Sequence, residues 1–332
     1  MNSPDPRYIT LQLATGYWDS RCLHVIAALG VADHIGDGTQ DAEGLAKAVG
    51  AHPQALARVL RALAAHGVFE EAGGGFRHTA ASRLLRTDHP QSVRAFVGMM
   101  GMAVHWEAYG KLEHSVRTGE SAMSCITPGG TFEYFATHPE EARLFDDAMT
   151  AKSHEQIKSV LAVYDFSAFE SVADIGGGRG HLLRAVLAQN PAMTGVLFDL
   201  PHVIEALASA PPVERLTLRS GSFFTDALPA CEGYLLMSVI HDWGDAEATA
   251  ILGAVRRAAP AHAKVLLLEM LLPDAPGPHP AKSLDVEMLV MTSGGRERSR
   301  AQYERLFESA GMRLARVIPT RSPTVILEAV LA

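Results

Sequence analysis

The sequence predicts an α/β fold in which a helical region precedes a mostly parallel sheet. From residue 166 onward, short apolar segments alternate with segments of helical periodicity, as in strands joined by crossover helices. The first of these apolar segments runs directly into a glycine-rich turn, a connection at which α/β sheets bind ligands. Over residues 1–95, by contrast, apolar residues recur mainly at helical spacing.

The helical start of the chain has the element order of a winged helix. Helical periodicity covers residues 9–29, 42–49 and 53–66, and two short segments at 68–71 and 76–79 flank three consecutive glycines. The glycines predict the turn of a hairpin. Three helices followed by a hairpin predict a winged-helix domain.

Charge argues against DNA binding by this domain, although many winged helices bind DNA. Residues 1–95 carry nine basic and nine acidic side chains, and Arg58 and Arg61 are the only basic pair on the helix that would read DNA. Phosphate contacts need a basic face. We therefore expect a role in dimerisation or in capping a substrate site.

Composition narrows the class of protein further. A chain of 332 residues suits about two domains, and its net charge of −8 argues against a nucleic-acid partner. The three cysteines, Cys22, Cys125 and Cys231, lie far apart and form no C-x-x-C pair, so we expect a reducing compartment and no zinc site. The first residues lack a signal-peptide pattern and no apolar run is long enough to span a membrane, which predicts a cytoplasmic protein.

The second half of the chain predicts the elements of the sheet. The last two predicted strands follow each other without a helix, which indicates an antiparallel hairpin on an otherwise parallel sheet. The predicted strands cover 171–175, 194–199, 215–219, 233–240, 263–270, 313–318 and 323–330. The predicted helices cover 181–189, 202–208, 246–258 and 300–310.

The turn after the first strand is the most informative segment. Asp174 stands at the end of the strand, and glycines then occupy alternate positions from Gly176 to Gly180. The dinucleotide fingerprint G-x-G-x-x-G would need its third glycine at His181, so a pyrophosphate-binding loop is not indicated. Asp199 ends the next strand, where an acid can accept hydrogen bonds from the two hydroxyls of a ribose. These residues predict a nucleoside-bearing cofactor that lacks a pyrophosphate.

The charge of Asp174 favours a cationic ligand. A carboxylate before the turn would repel a phosphate, whereas S-adenosylmethionine carries a sulfonium and an ammonium group and no phosphate. We therefore expect S-adenosylmethionine as the cofactor, S-adenosylhomocysteine as its product and no metal ion, because the sulfonium already activates the methyl group. The final antiparallel hairpin agrees, since it distinguishes a methyltransferase sheet from an NAD-binding one. The alternative is a structural glycine turn in another doubly wound fold.

Three ionisable side chains are predicted at the same sheet edge as the glycine turn. The strand that ends at residue 240 leads into His241, which can take up a proton near neutral pH. The next strand ends in Glu269, close enough to orient His241, and Glu297 lies in a later glycine-rich loop. Each could instead have a structural role, as a helix cap, a solvated strand end or an ion-pair partner. Their convergence on one edge predicts a general base with supporting acids.

The segment between the two predicted domains is rich in methionine and aromatic residues. Packing between helices is the ordinary explanation, but flat apolar ligands also favour such side chains. We expect residues 1–95 to form the dimerisation domain, residues 96–165 to form a helical linker that roofs the substrate pocket, and residues 166–332 to form the cofactor-binding catalytic domain.

Several blocks of sequence give the chain a family resemblance. The chain resembles the dimeric, metal-independent small-molecule O-methyltransferases, which include plant caffeate and bacterial antibiotic O-methyltransferases. The block H-D-W at 241–243 together with G-G-R-E-R at 294–298 is the specific part of this resemblance, which covers nearly the whole chain. The other matching blocks are 174–180, 198–201, 221–224 and 285–289.

The resemblance implies a Rossmann-like class I methyltransferase sheet, an N-terminal winged-helix dimerisation domain and a homodimer. It places the general base on His241 and the base-orienting acids on Glu269 and Glu297. Two positions depart from the family pattern: Ser222 stands where an acid usually contacts the adenosine, and Met237 stands where a basic residue usually approaches the methionine part of the cofactor.

These expectations describe an S-adenosylmethionine-dependent O-methyltransferase that methylates a phenolic hydroxyl of a flat aromatic secondary metabolite. The segment 16–22 looks most like bacterial phenazine methyltransferases, so we favour a hydroxyphenazine, with an aromatic polyketide as the alternative. A winged-helix transcription factor that senses a small molecule, and a relative that binds the cofactor without methyl transfer, are the alternatives from other classes. The expected cofactor residues are Asp174, Gly176, Gly178, Asp199, Leu200, Ser222, Phe223 and Ser238. The expected substrate residues are Met99, His105, Trp106, Phe145, Met149, Asp242, Met288, Met291 and Thr292.

Overall fold

The structure, a computed structural model, describes residues 5–207 and 213–332 and divides into two units. The first unit comprises the described residues up to Trp106 together with Glu140–Lys152, and the second comprises Glu107–Pro139 together with the described part of Ser153–Ala332. The sequence predicted domain boundaries near residues 95 and 165, which are not the boundaries of these two units. That domain organisation stays a prediction. Within the described ranges, no helix is long and apolar enough to cross a membrane.

Helices and one hairpin form most of the first unit. The pairing of Phe69 with His78 in antiparallel strands confirms the predicted hairpin. The predicted single helix over 9–29 is wrong, because the helical ladder is interrupted at Gly16, whose amide donates to the Leu13 carbonyl three residues back. The elements in order are α1 (Pro6–Thr15), α2 (Tyr17–Leu29), a 3₁₀ turn (Val31–His34), α3 (Ala42–Val49), α4 (Pro53–Ala65), β1 (Phe69–Ala72), β2 (Gly75–His78), α5 (Ala80–Arg83) and α6 (Arg94–Met100).

Local sequence signals set the ends of these helices. The Asp41 side chain caps α3 by accepting a 2.6 Å hydrogen bond from the Gly44 amide. Gly30 ends α2 with a φ of 68°, a left-handed conformation that glycine adopts without steric cost. The apolar faces of the helices pack with the hairpin in one core, which includes Ile26, Val31, Ile35, Leu45, Leu60, Leu63, Phe69 and Phe76.

Between residues 103 and 161 the chain is mostly helical. The elements are α7 (Ala103–Gly110), α8 (Leu112–Thr118), a 3₁₀ turn (Ala122–Cys125), α9 (Gly130–Thr137) and α10 (Pro139–Leu161).

A seven-stranded sheet forms the centre of the second unit. The strands are β3 (Ser171–Ile175), β4 (Thr194–Asp199), β5 (Leu216–Ser220), β6 (Gly233–Met237), β7 (Lys264–Met270), β8 (Met312–Pro319) and β9 (Thr324–Leu331). Their order is β5-β4-β3-β6-β7-β9-β8. The first five are parallel, and β9 pairs antiparallel with both β7 and β8. The predicted parallel sheet with a final antiparallel hairpin is thereby confirmed.

In the part of the chain that the structure describes, five helices connect the strands of this sheet, and the sequence predicted four of them. They are α11 (His181–Gln189), α12 (Pro201–Ala206), α13 (Asp245–Ala258), α14 (Pro280–Met291) and α15 (Arg300–Ser309). The end of the predicted helix at 202–208 lies partly outside the described residues. No helix was predicted over α14, because its apolar residues do not form one stripe at helical spacing. The strand predicted to reach residue 240 ends at Met237, because Ser238 has a φ of 54° and a 3₁₀ turn follows at Ile240–Asp242.

The chain order of the strands creates a crevice at one edge of the sheet. From β3 the chain moves outward through β4 and β5, and it then returns to the other side of β3 for β6 and β7. Such a reversal leaves an opening at the carboxyl ends of the two central strands, where open α/β sheets bind ligands. The residues of the central strands are apolar and buried on both faces, so the polar side chains concentrate where the strands end.

Candidate active site

The glycine turn after β3 lies at this crevice. Gly178 has a φ of 56°, and its amide donates a 2.7 Å hydrogen bond to Asp199 Oδ2. A Cβ on Gly177 would lie 2.4 Å from the carboxyl carbon of Asp174. The turn therefore needs glycine both for a left-handed backbone and for the space beside a buried acid. The amide of Gly176 donates to the Phe198 carbonyl of β4 at 2.8 Å and fixes the turn to that strand.

Asp199, at the end of β4, organises the backbone around it. Besides the Gly178 amide, the amide of Leu200 donates to its Oδ1 atom at 2.7 Å. Burial raises the pKa of this carboxyl, and the two amide hydrogen bonds oppose the shift. An ionised carboxylate accepts about four hydrogen bonds. Asp199 can therefore hold the turn and still accept hydrogen bonds from two hydroxyls of a ligand.

Asp174 is buried without the partners that a carboxylate normally requires. It is 1% exposed, and neither of its side-chain oxygens has a hydrogen-bond partner among the described residues. Burial and the nearby charge of Asp199 raise its pKa to about 7, although the backbone amide of Leu183 opposes this shift. An unsatisfied buried acid costs free energy, so it indicates a ligand that brings donors or positive charge. The ammonium group of S-adenosylmethionine fits this requirement.

Phe223 and Ser222 lie beside the glycine turn. The Phe223 ring meets the Trp243 ring edge to face at 5.7 Å, and a Cβ on Gly176 would lie 3.9 Å from Phe223. This arrangement leaves a flat apolar wall next to the turn. Ser222 Oγ accepts a hydrogen bond from the Phe224 amide at 3.3 Å, and the Ser222 amide donates to a carboxylate oxygen of Asp226 at 2.8 Å.

Ser238 bends the chain out of the sheet. It is the one residue other than glycine with a positive φ in the described ranges, and its amide donates to the Leu268 carbonyl on β7 at 3.1 Å. A left-handed serine is strained, and such strain is found where surrounding structure fixes a functional segment. Met237, by contrast, packs its side chain against an apolar cluster of the sheet.

His241 is surrounded by three carboxylates. Its Nδ1 donates a 2.7 Å hydrogen bond to Glu297 Oε1, and Glu269 Oε2 lies 3.8 Å from the same nitrogen. Asp242 Oδ1 lies 3.6 Å from Nε2. His241 is 5% exposed, and the two glutamates are each 1% exposed. The three residues predicted to act in catalysis are therefore together, and Glu297 rather than Glu269 makes the direct contact.

These contacts decide the charge of His241. Burial alone would lower its pKa, but the charges of Glu269, Asp242 and Glu297 outweigh burial and raise the pKa to about 9. Burial also raises the pKa of Glu269, to about 7, and the charge of His241 opposes that shift. Because Glu297 accepts the hydrogen bond from Nδ1, Nε2 is the nitrogen that loses or gains a proton when the ring titrates.

Hydrogen bonds from backbone amides fix the positions of the acids around the imidazole. Glu269 Oε1 accepts from the amides of Val239 and Ile240 at 3.2 and 2.9 Å. Asp285, on α14, accepts a 2.9 Å hydrogen bond from the Glu297 amide. Asp285 belongs to a matching sequence block, yet the sequence analysis gave it no role. Arg298 and Tyr303 are two more fully buried polar residues of this site that the sequence analysis missed.

Four of the predicted substrate residues lie in the second unit. Asp242 faces His241, whereas Met288, Met291 and Thr292 are buried at the end of α14. The Thr292 hydroxyl donates to the Met288 carbonyl at 2.7 Å, so it is engaged within its own helix end. The Thr131 hydroxyl, at the start of α9, donates to the Met291 carbonyl and fixes α9 to this helix end.

The other predicted substrate residues lie in the first unit. Met99 and His105 are buried there, and Trp106, Phe145 and Met149 are partly buried. The Trp106 ring packs edge to face with His24 at 6.1 Å and lies beneath the Arg21 guanidinium. A role for these five residues in substrate binding stays a prediction.

Two family models match the chain, each over one region. Residues 109–313 match the O-methyltransferase domain, and residues 11–88 match the O-methyltransferase dimerisation domain. The dimerisation match covers the helices and the hairpin that the sequence analysis assigned to dimerisation.

Individual proteins with the same architecture are also similar over the whole chain. The phenazine O-methyltransferase PhzM of Lysobacter antibioticus is 40% identical over 97% of this chain and 95% of its own length. The solved structure of LaPhzM superimposes with a TM-score of 0.93 at 40% identity and covers 99% of this chain and 100% of that one. The neocarzinostatin-pathway O-methyltransferase NcsB1, solved with S-adenosylmethionine and 2-hydroxy-5-methyl naphthoic acid, has a TM-score of 0.80 at 33% identity and covers 95% and 96% of the two chains.

The geometry and the similarities agree. A glycine turn with two acids, a buried histidine among carboxylates and a dimerisation region occur in one chain in the expected order. The chain belongs to the family of S-adenosylmethionine-dependent O-methyltransferases that carry an N-terminal dimerisation domain.

Proposed function

We propose that this methyltransferase methylates a phenolic hydroxyl of a flat aromatic secondary metabolite, with a hydroxyphenazine as the favoured substrate and His241 as the general base. The observation that carries the proposal is the 2.7 Å contact between His241 Nδ1 and Glu297. This contact leaves Nε2 as the proton acceptor, next to the crevice in which the glycine turn lies. The expectation that no metal ion takes part stays a prediction.

The proposed cofactor residues line the crevice from β3 to β6. Asp199 would accept hydrogen bonds from the ribose hydroxyls, and Asp174 would receive the ammonium group. Leu200 and Phe223 would provide the apolar surface for the adenine, and Ser222 and Ser238 would supply hydroxyl groups to the cofactor. When bound, S-adenosylmethionine supplies a methyl group that its sulfonium makes electrophilic.

His241 then has one chemical task. A phenol has a pKa of roughly 10 and is mostly protonated at neutral pH. His241 Nε2 would take the hydroxyl proton as the oxygen is methylated and S-adenosylhomocysteine leaves, and the Glu297 carboxylate would stabilise the imidazolium that forms. Glu269 and Asp242 add negative charge around the ring. The neutral base is a minor form in the cofactor-free protein, because these carboxylates raise the pKa of His241 to about 9. That pKa is expected to fall when a cationic cofactor binds, because like charges disfavour the imidazolium.

The substrate class rests on the relatives and on the lining of the α14 end. Met288 and Met291 offer adaptable apolar surface, which suits flat ring systems. The similarity to PhzM of Lysobacter antibioticus favours phenazines, and the naphthoic acid of the NcsB1 structure keeps aromatic polyketides as the second candidate.

A substrate panel tests this proposal. The purified enzyme is incubated with methyl-labelled cofactor and with hydroxyphenazines, hydroxyanthraquinones and hydroxynaphthoates, and kcat/KM is measured for each acceptor. Unsubstituted phenazine is the control without a hydroxyl. We expect the highest kcat/KM for a hydroxyphenazine and no transfer to phenazine itself. Methylation of polyketide-type rings without methylation of any hydroxyphenazine would overturn the favoured substrate.

Dimer formation is proposed to use the exposed apolar face of α1 and α2. Leu13 is 79% exposed and Trp18 is 59% exposed, and further exposed apolar side chains on the two helices are Tyr8, Ile9, Leu11 and Tyr17. Burying one large apolar side chain contributes about 1.5–3 kcal/mol. Six large exposed apolar side chains on two consecutive helices are unusual for a monomer. They fit an interface with a second copy of the chain, in agreement with the dimerisation match.

Charge on this face is expected to separate the protomers. The double variant Leu13→Asp with Trp18→Asp should elute as a monomer at concentrations at which the parent protein is a dimer, measured by light scattering after gel filtration. The matched control is Val116→Asp, which changes a valine that is 72% exposed on α8. The control should remain a dimer. A dimeric double variant would show that the interface lies elsewhere.

Asp174→Asn is expected to stabilise the cofactor-free protein more at pH 8 than at pH 5. Burial and Asp199 raise the pKa of Asp174 to about 7, whereas an unfolded chain loses this proton near pH 4. The folded state therefore loses stability as the pH rises from about 4 to 7, and an uncharged side chain removes that loss. The gain at pH 8 should amount to a few degrees in Tm.

Thermal melts at the two pH values check this expectation, together with titration of S-adenosylhomocysteine. Asp174→Asn should weaken cofactor binding even though it stabilises the free protein. Asp165→Asn, which changes an exposed carboxylate before β3, serves as the control and should give no such pH-dependent gain. Equal changes in Tm at both pH values would contradict the assigned cost of the buried charge.

A further inference from the structure

We infer that Arg298 is a positioning residue that holds the turn carrying His241, so that the imidazole stays in contact with Glu297. The inference rests on the proposed role of His241 as the base. Arg298 is 0% exposed, which is rare for arginine and requires that its donors find acceptors.

The acceptors of Arg298 lie on both sides of His241. Its Nη1 donates to the Ile240 carbonyl at 3.0 Å, and its Nη2 donates to the Trp243 carbonyl at 2.7 Å. These two carbonyls bracket the residues 241 and 242. One guanidinium group thus bridges the start and the end of the 3₁₀ turn. Its planar fork makes such a bridge possible, because its donors have fixed directions.

Asp245 fixes the orientation of the guanidinium group. Its Oδ1 accepts from Arg298 Nε at 3.0 Å and from Nη2 at 2.8 Å. Asp245 lies in the first turn of α13, and its side chain is 57% exposed. Its other carboxylate oxygen binds the side chain of Arg296. Arg296 therefore shares the same acid but makes no side-chain bond to the turn.

The backbone of Arg298 connects the turn to β7. The Leu272 amide, just beyond that strand, donates to the Arg298 carbonyl at 3.0 Å. Glu269 belongs to β7, and Glu297 directly precedes Arg298 in the chain. Arg298 therefore joins the three segments from which the histidine and the two glutamates come. A displacement of about 1 Å at a reacting group can lower a rate about 100-fold, so this connection has a consequence for turnover.

The groups that face the imidazole define what a displaced turn would change. They are Asp242 in the turn, Glu269 on β7 and Glu297 in the loop before Arg298. The buried hydroxyl of Tyr303, on α15, lies near the two glutamates and Arg298. A turn that shifts away from Glu297 would lose the shortest of these contacts. The His241 pKa would then move towards the ordinary histidine value of about 6.5.

Arg298→Lys tests the inference in the full-length protein. Lysine keeps the charge but cannot bridge two carbonyls and a carboxylate. We expect kcat to fall about 10- to 100-fold and the His241 pKa, measured by NMR on the cofactor-free protein, to fall towards 6.5. The Kd for S-adenosylhomocysteine should stay close to that of the parent. Arg296→Lys is the matched control, because it alters the other partner of Asp245, and it should leave all three values unchanged.

Asp245→Asn provides a second variant that does not depend on replacing a buried arginine. Asparagine has the same size as aspartate but no charge, so its hydrogen bonds to Arg298 are weaker. The variant should lower kcat and the His241 pKa as Arg298→Lys does, but by a smaller amount. A His241 pKa in Arg298→Lys equal to that in Arg296→Lys would overturn the inference. A lowered His241 pKa with unchanged kcat would instead support the positioning role and contradict the proposed role of His241 as the base.

Discussion

His241→Gln is expected to lower kcat by about 10²–10⁴-fold, the range that general-base catalysis usually contributes. Glutamine removes the proposed proton acceptor, and it leaves the glycine turn and its two acids in place. The affinity for S-adenosylhomocysteine should therefore remain within a few-fold of the parent value. Single-turnover rates with a labelled methyl group, together with calorimetric titration of the product, measure the two quantities separately.

An exposed histidine supplies the control for this experiment. His262 pairs with Glu232 at 3.3 Å, and its side chain is 69% exposed at the opposite end of β7. His262→Gln should leave both kcat and the cofactor Kd unchanged. Near-normal turnover in His241→Gln would show that alignment of oxygen and methyl group drives the reaction without a base.

Asp199→Ala is expected to raise the Kd for S-adenosylhomocysteine by about 10²-fold or more. The carboxylate accepts hydrogen bonds from the amides of Gly178 and Leu200, and we propose that it also binds the ribose hydroxyls. Hydrogen bonds to a charged group contribute about 1.5–3 kcal/mol each, and about 1.4 kcal/mol corresponds to a tenfold change in affinity. The turn also loses its anchor, so the binding surface itself becomes less ordered.

The pattern of the defect distinguishes Asp199 from His241. At saturating cofactor, Asp199→Ala should retain most of its kcat, whereas His241→Gln should not. Asp165→Ala, in the exposed loop before β3, is the control carboxylate and should bind the product normally. A folded Asp199→Ala protein with the parent Kd would exclude the proposed ribose contact.

The local geometry on the proposed cofactor side of the site could be predicted from the sequence, because its signals are local. The strand β3, the glycine turn and α11 are consecutive, so a left-handed backbone and the acid before it can be read from neighbouring residues. Asp199 could be predicted in the same way, because it stands at the end of the next strand, β4. The meeting of His241 with Glu269 was also predictable, since adjacent parallel strands end at one edge of the sheet.

The finer arrangement depends on long-range packing that spacing does not encode. Glu297 lies 56 positions from His241 in the chain, yet it makes the closest contact, because Asp285 on α14 binds its amide. The sequence contains no signal for the left-handed backbone of Ser238, which is set by the hydrogen bond to β7. In the sequence Arg298 was visible only as part of a charged block. Its burial follows from the carbonyls of a turn that begins at the last residue of the predicted strand.

The most direct test of the central claim compares two acceptors that differ in the acidity of the hydroxyl. One hydroxylated ring should have a hydroxyl pKa well above the assay pH, and its matched analogue should be ionised at that pH. Single-turnover methylation is measured for both acceptors with the parent enzyme and with His241→Gln. If His241 removes the proton, the variant should be strongly impaired with the protonated acceptor and nearly restored with the ionised one. An equal impairment with both acceptors would contradict the assignment of His241 as the general base.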